Sequence, residues 1–188
     1  MNDTCKLTML GTGSALVTKC YNTCFTIHTP QTMLLVDAGG GNGILAQLEK
    51  AEIKLGDVHH VFITHAHTDH IIGVLWVLRI FIQYALRGMV DGQLHIYGHD
   101  KSLLVLRTMF ELMLPAKLQK QIGTIVLLHE IKDGDSLSIE DLNLTCFDIL
   151  STKEKQFGFL AVLPDGKRLC CLGDEPYNPA NEQYAKDA

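Results

Sequence analysis

Four side chains of the kinds that bind divalent metals fall within six consecutive residues of this chain. His65, His67, Asp69 and His70 come just after the apolar run 61–63. Imidazole nitrogens and carboxylate oxygens are the ligands that borderline ions such as zinc prefer. Residues 65 and 67 face one side of an extended chain, whereas residues 69 and 70 follow where the backbone turns into a helix. This arrangement suits two adjacent metal positions better than one, and the alternative interpretation is a polar loop between a strand and a helix.

The residues around this cluster resemble those of the metallo-β-lactamase fold hydrolases. The resemblance rests on four segments in the order expected of that family, namely Leu7–Ala15, Leu35–Gly39, His65–His70 and Leu172–Asp174. The Gly-Thr-Gly-Ser start at residues 11–14 and the segment Phe62–His65 look most like the ribonuclease Z branch. The resemblance implies an αββα sandwich formed as a single domain over residues 1–188. The pattern of strands and helices alone predicts only an α/β or α+β fold.

The resemblance also implies a role for each residue of the cluster. His65 and His67 would bind one metal ion, and Asp69 and His70 would bind a second. Asp174 matches the carboxylate that bridges the two ions, although an aspartate after a strand is also a common turn residue. Asp69 would in addition orient the attacking nucleophile. Two zinc ions are expected, fewer are compatible with this chain, and manganese or iron is not excluded.

Asp37 stands where an apolar strand ends and a run of glycines begins. It looks like the family's second acid, which would hydrogen-bond the signature loop and orient an imidazole without binding a metal itself. The alternative is an ordinary turn aspartate before a helix. Both interpretations place its side chain at the end of a strand.

Two further histidines that the resemblance leads us to expect do not stand where they should. Leu150 occupies the place of the imidazole that would close the first metal position, and leucine cannot bind a metal. No histidine follows His129, so the imidazole expected from a C-terminal segment is missing before Ala188. The chain therefore looks short at its C-terminus, and we expect looser metal ions and little or no phosphodiester hydrolysis.

Two functional hypotheses follow. The first is a metal-dependent hydrolase that attacks a phosphodiester or related ester with metal-bound hydroxide. The second is a catalytically impaired or truncated relative that keeps the fold and at most part of the metal binding. Metal content distinguishes them, because two ions per chain favour the enzyme.

The composition of the chain limits which substrates and which cellular location are expected. The formal net charge of −5 argues against general affinity for nucleic acid, and no long basic arm is present. A small phosphodiester or ester is therefore favoured over RNA as substrate. Six cysteines without metal-finger spacing and a polar N-terminus without a signal-peptide core predict a cytoplasmic protein.

One apolar stretch, residues 71–86, could in principle span a membrane, pack in the core or form a subunit interface. It is too short to span a membrane comfortably and predicts a buried helix, lying either in the core of the chain or at a subunit interface. No membrane association is expected. A homodimer that covers an open face of the sandwich is one expected assembly.

Strands are predicted over the apolar runs that are bounded by turn residues, and helices over the segments with helical periodicity. The predicted strands are 6–10, 24–27, 33–36, 58–64, 94–97, 125–128, 142–148, 157–163 and 168–172. The predicted helices are 44–50, the apolar segment from about residue 70, and 101–113.

Overall fold

The computed structural model describes residues 5–176, 178–186 and 188, and within them the chain forms ten strands and five α-helices. The strands are β1 (Lys6–Gly11), β2 (Cys24–His28), β3 (Met33–Val36), β4 (His60–Ile63), β5 (Leu94–Gly98), β6 (Val126–Glu130), β7 (Ser136–Ile139), β8 (Leu142–Asp148), β9 (Phe157–Val162) and β10 (Arg168–Cys171). The helices are α1 (Gly43–Lys50), α2 (Thr68–Ala85), α3 (Asp100–Met113), α4 (Ala116–Gln119) and α5 (Glu182–Ala185).

The first sheet has six strands in the order β1-β2-β3-β4-β5-β6. β1, β2 and β3 pair antiparallel, whereas β3 to β6 run parallel and are joined by crossovers that contain the helices α1 to α4. Every residue of β3 is buried, as expected for a parallel strand that is covered on both faces. In register, Val36 pairs with Phe62 and Ile63 with Gly98. The carboxyl ends of β3, β4 and β5 therefore meet at one edge of the sheet.

The second sheet is antiparallel and has four strands in the order β10-β9-β8-β7. A hairpin joins β9 to β10, and Gly166 takes the left-handed conformation (φ 81°) that its tight turn requires. The prediction missed β7. This strand is short and mostly polar, and only Ile139 at its end is buried. Its pairing with β8, rather than any hydrophobic pattern of its own, makes it a strand.

Apolar clusters lie on opposite faces of the first sheet. The helices pack on one face, and the second sheet packs on the other, where the rings of Phe62 and Phe159 meet at a centroid distance of 5.0 Å. On the far side of the second sheet, the ring of Tyr184 in α5 stacks on Phe147 at 3.7 Å. The layers are therefore helix, sheet, sheet and helix, which confirms the predicted αββα sandwich.

The apolar stretch after residue 70 forms most of α2, and its buried side chains belong to the cluster beneath the first sheet. Burial within the chain thus accounts for its composition. Across the described ranges, we find no helix with the length and hydropathy needed to cross a bilayer. All six cysteines are unpaired.

Candidate metal centre

The predicted metal cluster lies at the edge where β4 ends and α2 begins. His65 follows β4, and His67 precedes α2 in an extended conformation. Asp69 and His70 belong to the first turn of α2. Because β3 ends beside β4, Asp37 reaches the same edge. The structure thus brings together all five residues that the N-terminal part of the sequence contributes to the predicted site.

Asp37 is a buried carboxylate that holds the signature segment in place. Its Oδ1 accepts the backbone N–H of Thr64 at 2.9 Å, and its Oδ2 accepts the Thr64 hydroxyl at 2.7 Å. Nδ1 of His70 donates to Oδ2 at 2.7 Å. Asp37 has a φ of 53°, a left-handed conformation that costs energy in a residue with a side chain. These three hydrogen bonds offset that strain and leave His70 Nε2 for the open side of the site.

The same hydrogen bonds fix the tautomer of His65. The Thr64 hydroxyl has one proton, which it donates to Asp37, so at 2.9 Å it accepts a proton from Nδ1 of His65. The Nε2 atom of His65 therefore carries a lone pair, as a metal ligand must. Thr64 was not assigned a role from the sequence, although its position between the strand and His65 is a signal that could have found it.

Asp37, His65 and His70 also lie at metal-ligand spacing, with one ligand atom of each within 4.8 Å of the others. The oxygens of Asp37 are already occupied by the three hydrogen bonds, however, and a cation there would have to displace them. An orienting role fits this chemistry better than a ligand role.

A second set with metal-ligand spacing consists of His65, His67 and Asp174. Nε2 of His65 lies 2.9 Å from Nδ1 of His67 and 3.6 Å from Oδ1 of Asp174. On the other side, Nε2 of His70 lies 3.7 Å from Oδ2 of Asp69 and 3.6 Å from Oδ2 of Asp174. Asp174 therefore presents one carboxylate oxygen to each pair of signature residues.

The charges of the centre are unevenly distributed. Burial and the neighbouring charge of His70 lower the pKa of His65 to about 4, against the raising effect of Asp37 and Asp174. Burial also acts against the charged form of His70, but its contacts with the carboxylates of Asp174 and Asp37 raise its pKa to about 10. The contact with the His70 imidazole is the largest influence holding the pKa of Asp174 well below its usual range. The carboxylates are thus arranged around positive charge, and His65 is neutral at physiological pH.

The loop that carries Asp37 is packed tightly against α2. A Cβ on Gly73 would lie 1.7 Å from the carbonyl oxygen of Ala38. The N–H of Gly73 donates to the carbonyl of Gly39 at 2.8 Å, and that of Ala38 donates to the carbonyl of His70 at 3.0 Å. The hydroxyl of Tyr21 lies 2.9 Å from the carbonyl of Ala38. These contacts fix the loop to the turn that carries Asp69 and His70.

Asp174 lies in the segment that follows β10, the last strand of the second sheet. Gln156 is fully buried; its Oε1 lies 3.5 Å from the backbone N–H of Asp174, and its Nε2 donates to Glu175 at 3.4 Å. The Ser151 hydroxyl donates to the same carboxylate of Glu175 at 2.7 Å. The side chain of Asp174 is 43% exposed. Sequence reasoning missed Gln156, because nothing in the sequence pairs it with a segment 18 residues later.

Leu150 lies in the loop between β8 and β9. It has a left-handed backbone (φ 59°), its side chain is 56% exposed, and its N–H donates to Asp148 at 2.8 Å. It places no metal-binding atom near the site. Its assignment as the position of a lost ligand stays a prediction.

The αββα sandwich is the metallo-β-lactamase fold, and the donor sets at its edge are candidate metal sites. Within that fold class, the chain belongs to the family described as anti-Pycsar protein Apyc1, whose model matches residues 5–187.

Curated relatives carry the name ribonuclease Z. The chain is 29% identical over 175 residues to ribonuclease Z of Macrococcus caseolyticus, covering 85% of this chain and 50% of that protein. It is 27% identical over 158 residues to ribonuclease Z of Thermosynechococcus vestitus, covering 82% of this chain and 36% of that protein. The chain therefore spans about half, or less, of the length of these relatives.

Solved structures show the same fold. The metallo-β-lactamase fold protein YhfI from Bacillus subtilis superposes with a TM-score of 0.76 at 17% identity, covering 96% of this chain and 68% of that one. The short form of human tRNase Z gives a TM-score of 0.70 at 22% identity, covering 94% and 71%. Together with the curated relatives, these matches confirm the resemblance to the superfamily and its ribonuclease Z-like branch.

Proposed function

We propose that this chain, as a single domain over residues 1–188, is a metal-dependent hydrolase that cleaves a phosphodiester or a related ester. The observation that carries the proposal is the placement of Asp174, whose two carboxylate oxygens each lie 3.6 Å from a different signature imidazole, His65 and His70. A single carboxylate shared between two donor sets is the arrangement that two adjacent cations require.

The residues fit two zinc ions. His65, His67 and Asp174 would hold one, while Asp69, His70 and Asp174 would hold the other, and three protein ligands with a solvent position suit catalytic zinc. The mixture of imidazole and carboxylate also accommodates manganese or iron. When bound, such ions would lower the pKa of water and would neutralise the charge that develops on the attacked group.

The protein's own groups orient the reactants. Asp69, at the N-terminus of α2, presents its carboxylate beside His70 and would accept a hydrogen bond from the attacking water. Asp37 would keep Nδ1 of His70 protonated and its Nε2 directed at the ion. Thr64 would do the same for His65.

Two kinds of substrate contain a phosphodiester that this site could cleave, namely a small molecule and RNA. The net charge of −5 favours a small substrate. The names of the curated relatives keep RNA as a candidate, and they give no support for ranking it lower. A cytoplasmic location, for which the unpaired cysteines argue, and a homodimer belong to the same proposal.

A catalytically impaired protein is the second candidate. Leu150 supplies no ligand, and the backbone N–H of the exposed Asp174 has a long contact of 3.5 Å with Gln156. Loss of one ligand leaves a cation less firmly fixed, and misplacement by about 1 Å can reduce a rate on the order of a hundredfold. We therefore expect slow hydrolysis from this chain even if both ions bind.

The test measures metal content and hydrolysis together. Zinc- or manganese-loaded protein is analysed for metal per chain and assayed on a chromogenic phosphodiester, beside Asp174→Ala and Leu150→His. The proposal expects two ions, weak turnover that Asp174→Ala abolishes, and a gain from Leu150→His. Asp165→Ala, in an exposed turn, is the matched control and should change nothing. No bound metal in the unmodified chain would favour the impaired protein and overturn the proposal.

A further inference from the structure

A small cavity lies beside the C-terminal half of α2, away from the metal centre. It has a volume of about 290 Å³ and is bounded by α2 and by α4. Arg79 is the first of its lining residues along the chain and comes ten residues after Asp69 in the same helix. At a rise of about 1.5 Å per residue, roughly 15 Å of helix separates these two positions. The cavity is therefore distinct from the candidate metal centre.

Three positively charged side chains line this cavity, and no acidic side chain of the described residues does. Arg79 belongs to the body of α2, Arg87 lies just beyond its end, and Lys117 belongs to α4. Residues 79, 83, 86 and 87 are spaced as one face of a helix, which explains how α2 presents them together. Because the formal net charge of the chain is −5, this concentration of positive charge runs against its overall composition.

Within the described chain, the three cations lack an anionic partner. The ion pairs found there join other lysines and several histidines to carboxylates, and none includes Arg79, Arg87 or Lys117. The guanidinium carbon of Arg79 lies 5.6 Å from the centroid of the Trp76 ring, a cation–π contact that orients the group without neutralising its charge. Like charges that share a cavity repel one another, so an anion that enters it would stabilise all three.

A solvated basic surface is the alternative explanation. The dipole of a helix stabilises positive side chains near its C-terminus, and this accounts for Arg87. The effect is confined to about the last turn and does not reach Arg79, which lies six residues before the end of α2. Nor does it explain why a cation from α4 faces the same cavity. The convergence favours a binding site over a set of independent surface charges.

We propose that this cavity binds a small phosphorylated molecule. Guanidinium groups bind phosphate oxygens through paired N–H donors, and an ammonium group adds a point charge. The side-chain amide of Gln83 offers a further donor, and the buried Leu118 offers an apolar contact for the rest of the molecule. The site uses none of the metal-binding residues, so the inference does not rest on the proposed function.

A small molecule fits this site better than RNA does. The cavity, at about 290 Å³, is close to the lower end of the range of ligand pockets, which begins near 300 Å³. RNA binding depends on many phosphate contacts, whereas this cavity offers three cations. A long polyanion would also meet the negative net charge of the chain as a whole.

The test measures the binding of inorganic pyrophosphate and of a nucleoside monophosphate to metal-free protein by isothermal titration calorimetry. We expect Arg79→Gln and Lys117→Gln each to weaken binding by about tenfold, because each removes a charge-assisted hydrogen-bond donor. Lys120→Gln, at an exposed position three residues after Lys117, is the matched control and should leave the affinity unchanged.

The outcomes separate this inference from the proposed function. The inference is wrong if neither probe binds, if only a short RNA oligonucleotide binds, or if Lys117→Gln and Lys120→Gln have equal effects. Binding that neither Arg79→Gln nor Lys117→Gln weakens would place the anion elsewhere and would also overturn it. Lys117→Gln keeps the test valid if the half-buried Arg79 variant fails to fold. Metal content and hydrolysis of Lys117→Gln should equal those of the unmodified chain, so a failure of metal binding bears on the proposed function alone.

Discussion

The two walls of the candidate metal centre are built very differently. The signature half, Asp37 with residues 64–70, is held by buried hydrogen bonds of 2.7 to 2.9 Å around one carboxylate. In the return half, residues 149–156 with 172–175, Gln156 contacts the backbone N–H of Asp174 at 3.5 Å and the carboxylate of Glu175 at 3.4 Å. In the described part of the chain, only Glu175 of these two residues has a shorter hydrogen bond, 2.7 Å from Ser151. Electrostatic catalysis depends on groups that are fixed before the reaction begins. The signature half is therefore preorganised, whereas the return half depends on bound metal ions to fix the position of Asp174.

The largest expected effect tests the rigid half. Asp37→Ala removes the acceptor for the N–H and hydroxyl of Thr64 and for Nδ1 of His70, leaving buried donors unpaired. We expect the free energy of unfolding to fall by about 3–5 kcal/mol. Urea denaturation measures it, with the exposed Asp91→Ala as control. A loss below about 1 kcal/mol would show that the signature half is not organised by this carboxylate.

The packing between the glycine loop and α2 can be tested separately from the hydrogen bonds. Gly73→Ala places a Cβ 1.7 Å from the backbone oxygen of Ala38, which cannot move without displacing Asp37. We expect a loss of about 2–3 kcal/mol in the free energy of unfolding. Gly41→Ala in the same loop meets no atom within 4 Å and should be nearly neutral. Equal stabilities of the two variants would contradict the tight packing.

In the return half, the comparison predicts an effect on metal binding rather than on folding. Gln156→Leu keeps the buried position occupied by a side chain of similar size. It removes the two contacts that the amide group makes with residues 174 and 175. We expect zinc affinity to fall by about tenfold, with little change in the urea midpoint. Dialysis against buffered zinc measures the affinity, and the exposed Gln183→Leu is the control. An unchanged affinity would mean that the bound ions alone position Asp174.

The smallest expected effect concerns the strand that carries the signature half. Burial, followed by the charges of His95, His59 and His129, lowers the pKa of His60 in β4 to about 4. The unfolded chain takes up this proton near its ordinary pKa of 6.5 and the folded chain does not. Stability contributed by the neutral ring is therefore complete above that pH and falls as pH drops towards 4.

His60→Gln should reduce this fall by about 1 kcal/mol, a value discounted because the ring is partly exposed. Urea denaturation of metal-free protein at pH 7 and pH 5 measures the difference. The exposed His28→Gln is the control. The same pH dependence in His60→Gln and the unmodified chain would place the acid sensitivity elsewhere.

The sequence predicted the signature half far better than the return half. The candidate metal-binding residues of the signature half, His65, His67, Asp69 and His70, lie within one strand-to-helix turn. Their spacing in the sequence is therefore nearly sufficient to place them together. To predict that Asp37 lies at the same edge, it was enough to assume that its strand is the parallel neighbour of the strand before His65. The parallel strands β3 to β6 of the first sheet were likewise found, because continuous apolar runs mark parallel strands.

The return half could not be predicted in the same way, because its contacts join segments far apart in the chain. Gln156 reaches residues 174 and 175, and the ion pair of Glu154 with Lys101 spans 53 residues. Neither pair has a periodic signal. β7 was missed for a related reason, since its stability comes from its neighbour β8 and little from burial.

One backbone hydrogen bond connects the two walls. Thr64, whose N–H is held by Asp37, accepts at its carbonyl the N–H of Phe157, the first residue of β9, at 2.9 Å. A single peptide group at the metal centre thus links the carboxyl edge of the first sheet to the start of a central strand of the second. Opening of the second sheet releases this carbonyl, so local unfolding there cannot leave the donor geometry intact. Amide hydrogen exchange at Thr64 and Phe157 should therefore slow together when metal binds, as one cooperative unit.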